Sequence, residues 1–121
     1  MNVLIVDDNE AAADLLQELL QLQDHSARCT YSGKAAIAAF AAEQFQTALI
    51  DLTLPDVPGA EVARRLRASA AGRPLLVVAI SGFAQHDAPG TDEAGLFDHF
   101  LQKPIDFDAL DRILASAPAA P

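Results

Sequence analysis

The sequence predicts an α/β fold in which a five-stranded parallel sheet is covered by helices. Short apolar runs alternate five times with longer stretches of helical period, and this alternation is typical of repeated strand–helix units. Three of the runs are apolar without alternation, as expected of central parallel strands that are buried on both faces. A chain of 121 residues accommodates one domain of this kind with one core.

The five apolar runs give the predicted strands, which in chain order are residues 3–6, 27–31, 48–50, 75–80 and 99–101. The first, third and fourth runs contain no charged residue and are predicted to lie in the centre of the sheet. The second and fifth runs are more polar, so we expect them at the two edges.

The first helix is predicted from a three- and four-residue spacing that forms one apolar stripe, made of Ala12, Leu15, Leu16 and Leu19. Either Asp8 or Asn9 is placed to cap it. Three further helices are predicted to begin after Ser32-Gly33, near Pro58-Gly59 and at Asp106. Their apolar positions are Ala36, Ile37 and Phe40 in the second helix, Val62 and Leu66 in the third, and Phe107, Leu110, Ile113 and Leu114 in the last.

The segment between Gly82 and Asp98 departs from this regularity, because Pro89 and Gly90 occupy the place where a fourth helix should run. Proline inside a helix costs about 3 kcal/mol and glycine up to about 1 kcal/mol, so we expect a short or broken helix there. We assign residues 1–116 to the domain. The Ala/Pro-rich residues 117–121 form either a frayed terminus or the start of a linker.

Composition excludes several classes of function. The formal net charge of −9 opposes direct binding of nucleic acid, which requires clustered basic residues. The longest apolar run, residues 75–80, is far shorter than the roughly 20 residues of a membrane span. Cys29 is the only cysteine, which rules out an internal disulfide and favours a cytoplasmic setting. No secretion signal is expected, because a strand-like run directly follows Met1.

Residues with chemical potential follow the predicted strands at the same end of the sheet. Asp7 and Asp8 follow the first strand, Asp51 the third, Ser81 the fourth, and Lys103 comes shortly after the fifth. In open parallel α/β sheets, ligands bind at the carboxyl ends of the strands, so these side chains are expected to share one cleft.

Carboxylates gathered in one cleft imply a bound cation. Two of them about 4 Å apart repel by roughly 4 kcal/mol at an effective dielectric constant near 20. Oxygen ligands without histidine or cysteine favour Mg²⁺, which commonly binds one or two carboxylates together with phosphate oxygens. A lysine and a hydroxyl facing the same cleft suit a phosphoryl group, and an aspartate can itself be the nucleophile. Asp51, which follows a central strand, is the candidate nucleophile.

Four segments of the chain carry a family resemblance. They are residues 4–10 (Leu-Ile-Val-Asp-Asp-Asn-Glu), residues 51–59 (Asp-Leu-Thr-Leu-Pro-Asp-Val-Pro-Gly), Ser81-Gly82 and Lys103-Pro104. In this order they resemble the receiver domain of two-component response regulators, including the single-domain chemotaxis regulators. The resemblance spans nearly the whole chain, and it implies a doubly wound, flavodoxin-like sheet with strand order 2-1-3-4-5.

The resemblance also implies a role for each site residue. Asp51 would accept a phosphoryl group from a phosphohistidine on a sensor histidine kinase or a histidine phosphotransfer protein, the domain catalysing its own phosphorylation and dephosphorylation. Mg²⁺ would be held by Asp8, Asp51 and the Thr53 backbone carbonyl, and Asp7 would contact it through water.

The same resemblance implies how the signal leaves the site. Ser81 and Lys103 would bind the phosphoryl group, Phe100 would occupy the aromatic switch position, and Lys103-Pro104 would form a cis turn, which proline makes feasible. Output in the family uses the fourth helix, the fifth strand and the last helix. Pro89-Gly90 and the lack of a hydroxyl on Phe100 depart from that pattern, so the downstream protein partner stays undefined.

Three other functions share features with this one. A flavodoxin needs a hydroxyl- and glycine-rich loop after the first strand, where this chain has acidic residues. A haloacid-dehalogenase-type phosphatase places two aspartates two residues apart, whereas Asp7 and Asp8 are adjacent. A receiver-like interaction module that works without phosphorylation stays open as the alternative.

Overall fold

The computed structural model describes residues 1–82 and 95–116, and the following account is confined to them. Five strands form one parallel sheet in the order β2-β1-β3-β4-β5, as the sequence predicted. The strands are β1 (Asn2–Val6), β2 (Ser26–Thr30), β3 (Thr47–Asp51), β4 (Leu76–Ser81) and β5 (His99–Gln102), and the helices are α1 (Glu10–Leu22), α2 (Gly33–Ala42), α3 (Gly59–Ala70) and α4 (Phe107–Leu114).

The strand register places the carboxyl ends of the central strands side by side. Val6 pairs with Ile50, Asp51 pairs with Ile80, and Ser81 pairs with Gln102 of β5. The more polar strands β2 and β5 lie at the edges, which confirms the prediction from composition. All side chains of β3 and β4 are buried, as expected for strands covered on both faces.

Alternate residues of the strands face two separate apolar layers. In β1, Leu4 and Val6 pack with α2 and α3, whereas Val3 and Ile5 pack with α1 and α4. The two-residue period of a strand produces this division, because successive side chains point to opposite faces. The sheet is therefore doubly wound, with two helices on each face among the described residues.

The helices begin at or within one residue of the predicted positions. Asn9 caps α1 by accepting a hydrogen bond from the Ala12 N–H at 3.1 Å, which selects Asn9 over Asp8. Ser32 caps α2 and Asp106 caps α4 in the same way. Helix α3 begins after Pro58 without a side-chain cap.

The apolar stripe of α1 differs from the prediction. The buried residues are Ala13, Leu16 and Leu20, whereas Leu15 is 54% exposed. The leucines of this helix are adjacent in pairs, so both stripes have helical spacing, and the periodicity alone does not decide which leucine faces the sheet. Phe107 of α4 was likewise predicted to be buried and is 40% exposed.

Two predictions fall on residues outside the described ranges. The short or broken helix expected around Pro89-Gly90 is one, and the tail of residues 117–121 is the other. In residues 1–82 and 95–116, no helix combines the length and the apolar character that crossing a membrane requires.

Candidate functional site

The carboxyl end of the sheet brings the three predicted aspartates together. Asp51 is the last residue of β3 and is 3% exposed, and Asp7 directly follows β1 and is 8% exposed. Asp8 is exposed. One carboxylate oxygen from each residue lies within 4.8 Å of the other two. The cluster that the sequence predicted is therefore formed.

Lys103 binds both buried carboxylates. Its Nζ lies 3.1 Å from Asp51 Oδ2 and 3.2 Å from Asp7 Oδ2. Its backbone N–H donates to the Ser81 carbonyl at 2.7 Å, and the Lys103-Pro104 peptide bond is cis, as predicted. The lysine therefore supplies one positive charge between two negative ones.

Thr53 holds the other oxygen of Asp51. Its N–H and its Oγ1 both donate to Asp51 Oδ1, at 2.8 and 2.9 Å. We predicted a role only for the backbone carbonyl of Thr53, and the structure adds the contact of its hydroxyl. A threonine two residues after an aspartate in a turn is the signal that could have revealed it, because Asx turns place the i+2 backbone near the carboxylate.

These contacts determine the protonation of the Asp51–Lys103 pair. Burial by itself raises the pKa of Asp51, but hydrogen bonds from Thr53 and Lys103 outweigh it and bring this pKa below its ordinary value. Burial likewise opposes the charge of Lys103, yet its contacts with Asp51 and Asp7 raise the Lys103 pKa. Both groups are therefore ionised at neutral pH.

Asp7 has a different environment. Burial raises its pKa, and the negative charge of Asp51 adds to that effect. The hydrogen bond from the Asn9 N–H to Asp7 Oδ1 at 2.9 Å and the charge of Lys103 oppose the increase without cancelling it. Of the two buried carboxylates that Lys103 contacts, Asp7 therefore has a raised pKa and Asp51 a lowered one.

Ser81 and Phe100, the residues with predicted switch roles, lie on the adjacent strands β4 and β5. Ser81 is fully buried at the end of β4, one residue beyond the residue that pairs with Asp51. Phe100 of β5 is half-buried and packs on a small apolar cluster formed by Leu52 and Ala79. The aromatic ring is therefore close to the chain segment that leaves Asp51.

The loop between β3 and α3, residues 52–58, is held by contacts of Asp56 and of Gly59, the first residue of α3, and the sequence alone did not predict them. A Cβ at Gly59 would lie 2.5 Å from the Asp51 backbone oxygen, so this position admits no side chain without a shift of the backbone. Asp56 accepts hydrogen bonds from the N–H groups of Gly33 and Lys34 at the start of α2. The loop that follows Asp51 is therefore attached to two helices.

The donor set fits Mg²⁺. Asp7, Asp8 and Asp51 offer hard carboxylate oxygens within reach of one another, and Thr53 adds a backbone carbonyl in the adjoining turn. Mg²⁺ favours such oxygen ligands and retains several waters, which an exposed residue such as Asp8 permits.

Comparison with known proteins assigns the family. The sequence profile described as "Response regulator receiver domain" matches residues 3–115. The chain belongs to the response regulator receiver domain family. This receiver domain is 30% identical over 118 residues to the sensor histidine kinase AtsR of Burkholderia thailandensis, and the match covers 95% of this chain and 19% of AtsR. The response regulator MprA of Mycobacterium avium is 29% identical over 115 residues, and this match covers 95% of this chain and 48% of MprA. Both curated relatives therefore extend beyond the matched region.

Solved structures have the same fold as this receiver domain. A response regulator receiver domain (CheY-like) from Methylobacillus flagellatus is 37% identical, with a TM-score of 0.85 and coverage of 96% of this chain and 97% of that one. The response regulator TrrA from Thermotoga maritima, crystallised in complex with Mg²⁺ and BeF, is 21% identical, with a TM-score of 0.81 and coverage of 94% and 96%. The TrrA match shows a common fold.

Proposed function

We propose that this receiver domain accepts a phosphoryl group on Asp51, in a Mg²⁺-dependent reaction with a phosphohistidine of a sensor histidine kinase or a histidine phosphotransfer protein. One observation carries the proposal, namely the contact of Lys103 Nζ with Oδ2 of both Asp51 and Asp7. This contact brings together the ionised Asp51, the ammonium group of Lys103 and the carboxylate of Asp7. Family membership and the presence of a sensor histidine kinase among the relatives support the choice of donor.

Asp51 is suited to act as the nucleophile. Its lowered pKa keeps the carboxylate ionised at neutral pH, and the hydrogen bonds from Thr53 fix its orientation. An oxygen of Asp51 forms a bond to phosphorus while the bond from phosphorus to the histidine nitrogen breaks, and the imidazole leaves with that electron pair. The product is an aspartyl phosphate.

Lys103 and Ser81 are proposed to bind the transferred group. Lys103 carries a positive charge at the carboxylate that reacts, so it can pair with a phosphoryl oxygen there. Ser81, at the end of the neighbouring strand, supplies a hydroxyl donor to a second oxygen. Lys103 and Ser81 thus stabilise the negative charge of the phosphorylated side chain, as Lys103 stabilises that of the free Asp51 carboxylate.

The cation site has a defined set of proposed ligands. Asp8, Asp51 and the Thr53 carbonyl would hold Mg²⁺, and Asp7 would contact it through water. When bound, Mg²⁺ neutralises the negative charge that the phosphoryl oxygens carry during transfer. TrrA, which has the same fold, was crystallised with Mg²⁺ and BeF, and this agrees with such a site.

Phosphorylation is proposed to switch the domain between two states. The group adds a charge of about −1.5 to −2 and new acceptor oxygens next to Ser81. Moving a population from 1:99 to 99:1 requires about 5.5 kcal/mol of differential binding, to which contacts made only in the active state contribute. Ser81 and Phe100 are the residues that we assign to this change, because Phe100 packs on Leu52, next to Asp51.

The signal is proposed to leave through a protein partner. The formal net charge of −9 disfavours a nucleic-acid backbone as the direct target. We assign the phosphoacceptor domain to residues 1–116, with 117–121 as a tail or linker, and place the reaction in the cytoplasm, which the single cysteine favours.

Mass spectrometry of the intact protein tests the proposal. After incubation with acetyl phosphate and Mg²⁺, the protein is expected to gain the mass of one phosphoryl group, and EDTA should prevent the gain. The Asp51→Asn variant, which retains the shape of the side chain, should gain nothing. A wild-type protein that shows no Mg²⁺-dependent gain would favour the interaction module that works without phosphorylation.

A further inference from the structure

The Asp56 carboxylate joins two segments that the reaction does not otherwise connect. Its Oδ1 accepts the Gly33 N–H at 2.9 Å and its Oδ2 accepts the Lys34 N–H at 3.0 Å. These are the first two residues of α2, and their N–H groups have no partner within the helix. Both oxygens of one side chain are thus used on one helix end, where the helix dipole also favours a negative charge.

Ser32 completes the same helix end independently. Its Oγ accepts the Ala35 N–H at 3.1 Å, and its backbone carbonyl accepts the Ala36 N–H. Helix α2 therefore has a cap of its own, next to Asp56. Ser32 directly precedes α2 in the chain, whereas Asp56 contacts the helix from the separate loop of residues 52–58.

That loop carries Thr53, which contacts the proposed phosphoacceptor. On one side of Thr53, Leu52 is held by its N–H to the Ile80 carbonyl at 3.0 Å. On the other side, Leu54 is buried in the core, and Asp56 is bound to α2. Gly33 and Val57 lie in close contact as well, since a Cβ at Gly33 would be 2.8 Å from the Val57 Cβ. Asp56 thus anchors the C-terminal half of this loop, residues 55–58, through hydrogen bonds to α2.

We propose that Asp56 is a positioning residue for Asp51: by fastening the loop to the N-terminus of α2, it holds Thr53 in the place from which its N–H and Oγ1 orient the Asp51 carboxylate. The effect on the reaction rests on the proposed phosphorylation of Asp51. Residues that orient a metal ligand without touching the metal typically change affinity by 10- to 100-fold when they are replaced.

Two variants at the N-terminus of α2 distinguish an effect on the position of Thr53 from an effect on the stability of the domain. Asp56→Ala removes the anchor between the loop and the helix, and Ser32→Ala removes a cap of the same helix without touching the loop. Each loses bonds to the N-terminus of α2 and is expected to lower the midpoint of thermal unfolding by about 4 °C. Only Asp56→Ala is expected to affect the site.

The decisive readouts are the Mg²⁺ dissociation constant by calorimetry and the rate of phosphorylation by acetyl phosphate, both measured well below the unfolding temperature. For Asp56→Ala we expect a dissociation constant raised about 10-fold and a similarly lowered rate. Asp56→Asn, which keeps one acceptor oxygen, should give a smaller change, and it serves in place of the alanine variant if that does not fold. Ser32→Ala should equal the wild type.

Equal Mg²⁺ affinity in Asp56→Ala, Ser32→Ala and wild type would overturn the positioning role. Hydrogen exchange of the Thr53 amide gives a second test that needs no phosphate, since loss of the anchor should speed exchange at that amide at least several-fold. A wild-type protein that binds Mg²⁺ but takes up no phosphoryl group would contradict the proposed function, while the Mg²⁺ affinities of the variants would still decide the role of Asp56.

Discussion

At the scale of single residues, Lys103 makes two buried carboxylates compatible with a folded protein. Asp7 and Asp51 lie in one cleft, and each directs its Oδ2 to the same ammonium group. With one positive charge against two negative ones there, and the exposed Asp8 nearby, the site keeps an excess of negative charge. A divalent cation removes that excess, which links the charge of the site to its proposed ligand.

Replacing Asp8 separates metal binding from stability. Asp8→Ala is expected to weaken Mg²⁺ binding by about 10-fold or more, since it removes a proposed direct ligand. Without metal, its free energy of unfolding should equal or exceed that of the wild type, because repulsion among the carboxylates falls. Urea unfolding with and without Mg²⁺ measures both effects. Glu18→Ala, an exposed acid of α1 outside the cluster, is the matched control. Clear destabilisation of Asp8→Ala without metal would contradict the expectation.

Cys29 provides a prediction of pH dependence away from the site. Burial, reinforced by the negative charge of Asp14, raises the pKa of the thiol to about 11. Because the pKa is higher in the folded state than in the unfolded state, the stability that this thiol contributes is complete below the unfolded pKa and is lost as pH rises through the folded one. The rate of alkylation by iodoacetamide should climb steadily from pH 8 to pH 10. A rate that is half-maximal near pH 8.5, the ordinary pKa of a thiol, and that levels off by about pH 10 would contradict this.

Some residues of the candidate site could be predicted from the sequence, and others could not. Asp7, Asp8, Asp51 and Lys103 follow strands, and the parallel register brings strand ends together, so their meeting could be foreseen. Asp56 could not be found in this way. Its partners are backbone N–H groups 22 and 23 residues earlier in the chain, and such groups leave no mark in the sequence.

At the scale of elements, the start of α3 lies unusually close to the end of β3. A Cβ on Gly59 would meet backbone atoms, 2.5 Å from the Asp51 oxygen and 2.6 Å from the Leu52 Cα. A Cβ on Gly33, at the start of α2, would meet only side-chain atoms of Val57 and Val62 among its nearest neighbours. Side chains can move aside more easily than a strand end.

Gly59→Ala is therefore expected to cost more stability than Gly33→Ala. Overpacking typically costs about 1 to 3 kcal/mol, and we expect Gly59→Ala at the upper end of that range and Gly33→Ala at the lower. Chemical denaturation of both variants measures the difference. An equal or larger loss for Gly33→Ala would show that the approach of α3 to Asp51 is not the tighter of the two.

Element boundaries followed from the sequence where local signals are strong. The apolar runs located β1, β3 and β4, and Ser32 and Asp106 marked helix starts. The rotation of α1 about its axis was predicted wrongly, because Leu15 and Leu16 are equally apolar and only packing against the sheet selects Leu16. The hydrophobic periodicity of a sequence predicts whether a segment is a helix or a strand more reliably than it predicts which face is buried.

At the scale of the whole molecule, Mg²⁺ is expected to stabilise the folded domain. A ligand that binds only the folded state stabilises it by about 2.7 kcal/mol at 100 times its dissociation constant. Thermal unfolding should shift upward with Mg²⁺ and return on addition of EDTA, whereas NaCl at equal ionic strength should produce a smaller shift. At the same Mg²⁺ concentration, Asp8→Ala should lose about half of the Mg²⁺ effect or more. An equal response to NaCl would assign the shift to general screening of the net charge of −9.

The overall topology was predictable because the local signals and the family resemblance agree. Apolar runs identified the central strands, polar runs identified the edges, and the resemblance supplied the strand order that the structure confirms. The distances within the site depend on three-dimensional packing, which is why the hydroxyl contact from Thr53 to Asp51 emerged only from the structure.

Chemical mapping of the modified residue identifies the phosphoacceptor. Borohydride reduces an aspartyl phosphate to homoserine, so treatment after phosphorylation by acetyl phosphate and Mg²⁺ marks the acceptor for peptide mass spectrometry. We expect homoserine at position 51 and at no other aspartate, with Asp7 and Asp8 unchanged. Homoserine at a different position, or none in a protein that has gained a phosphoryl group, would contradict the assignment of Asp51 as the phosphoacceptor.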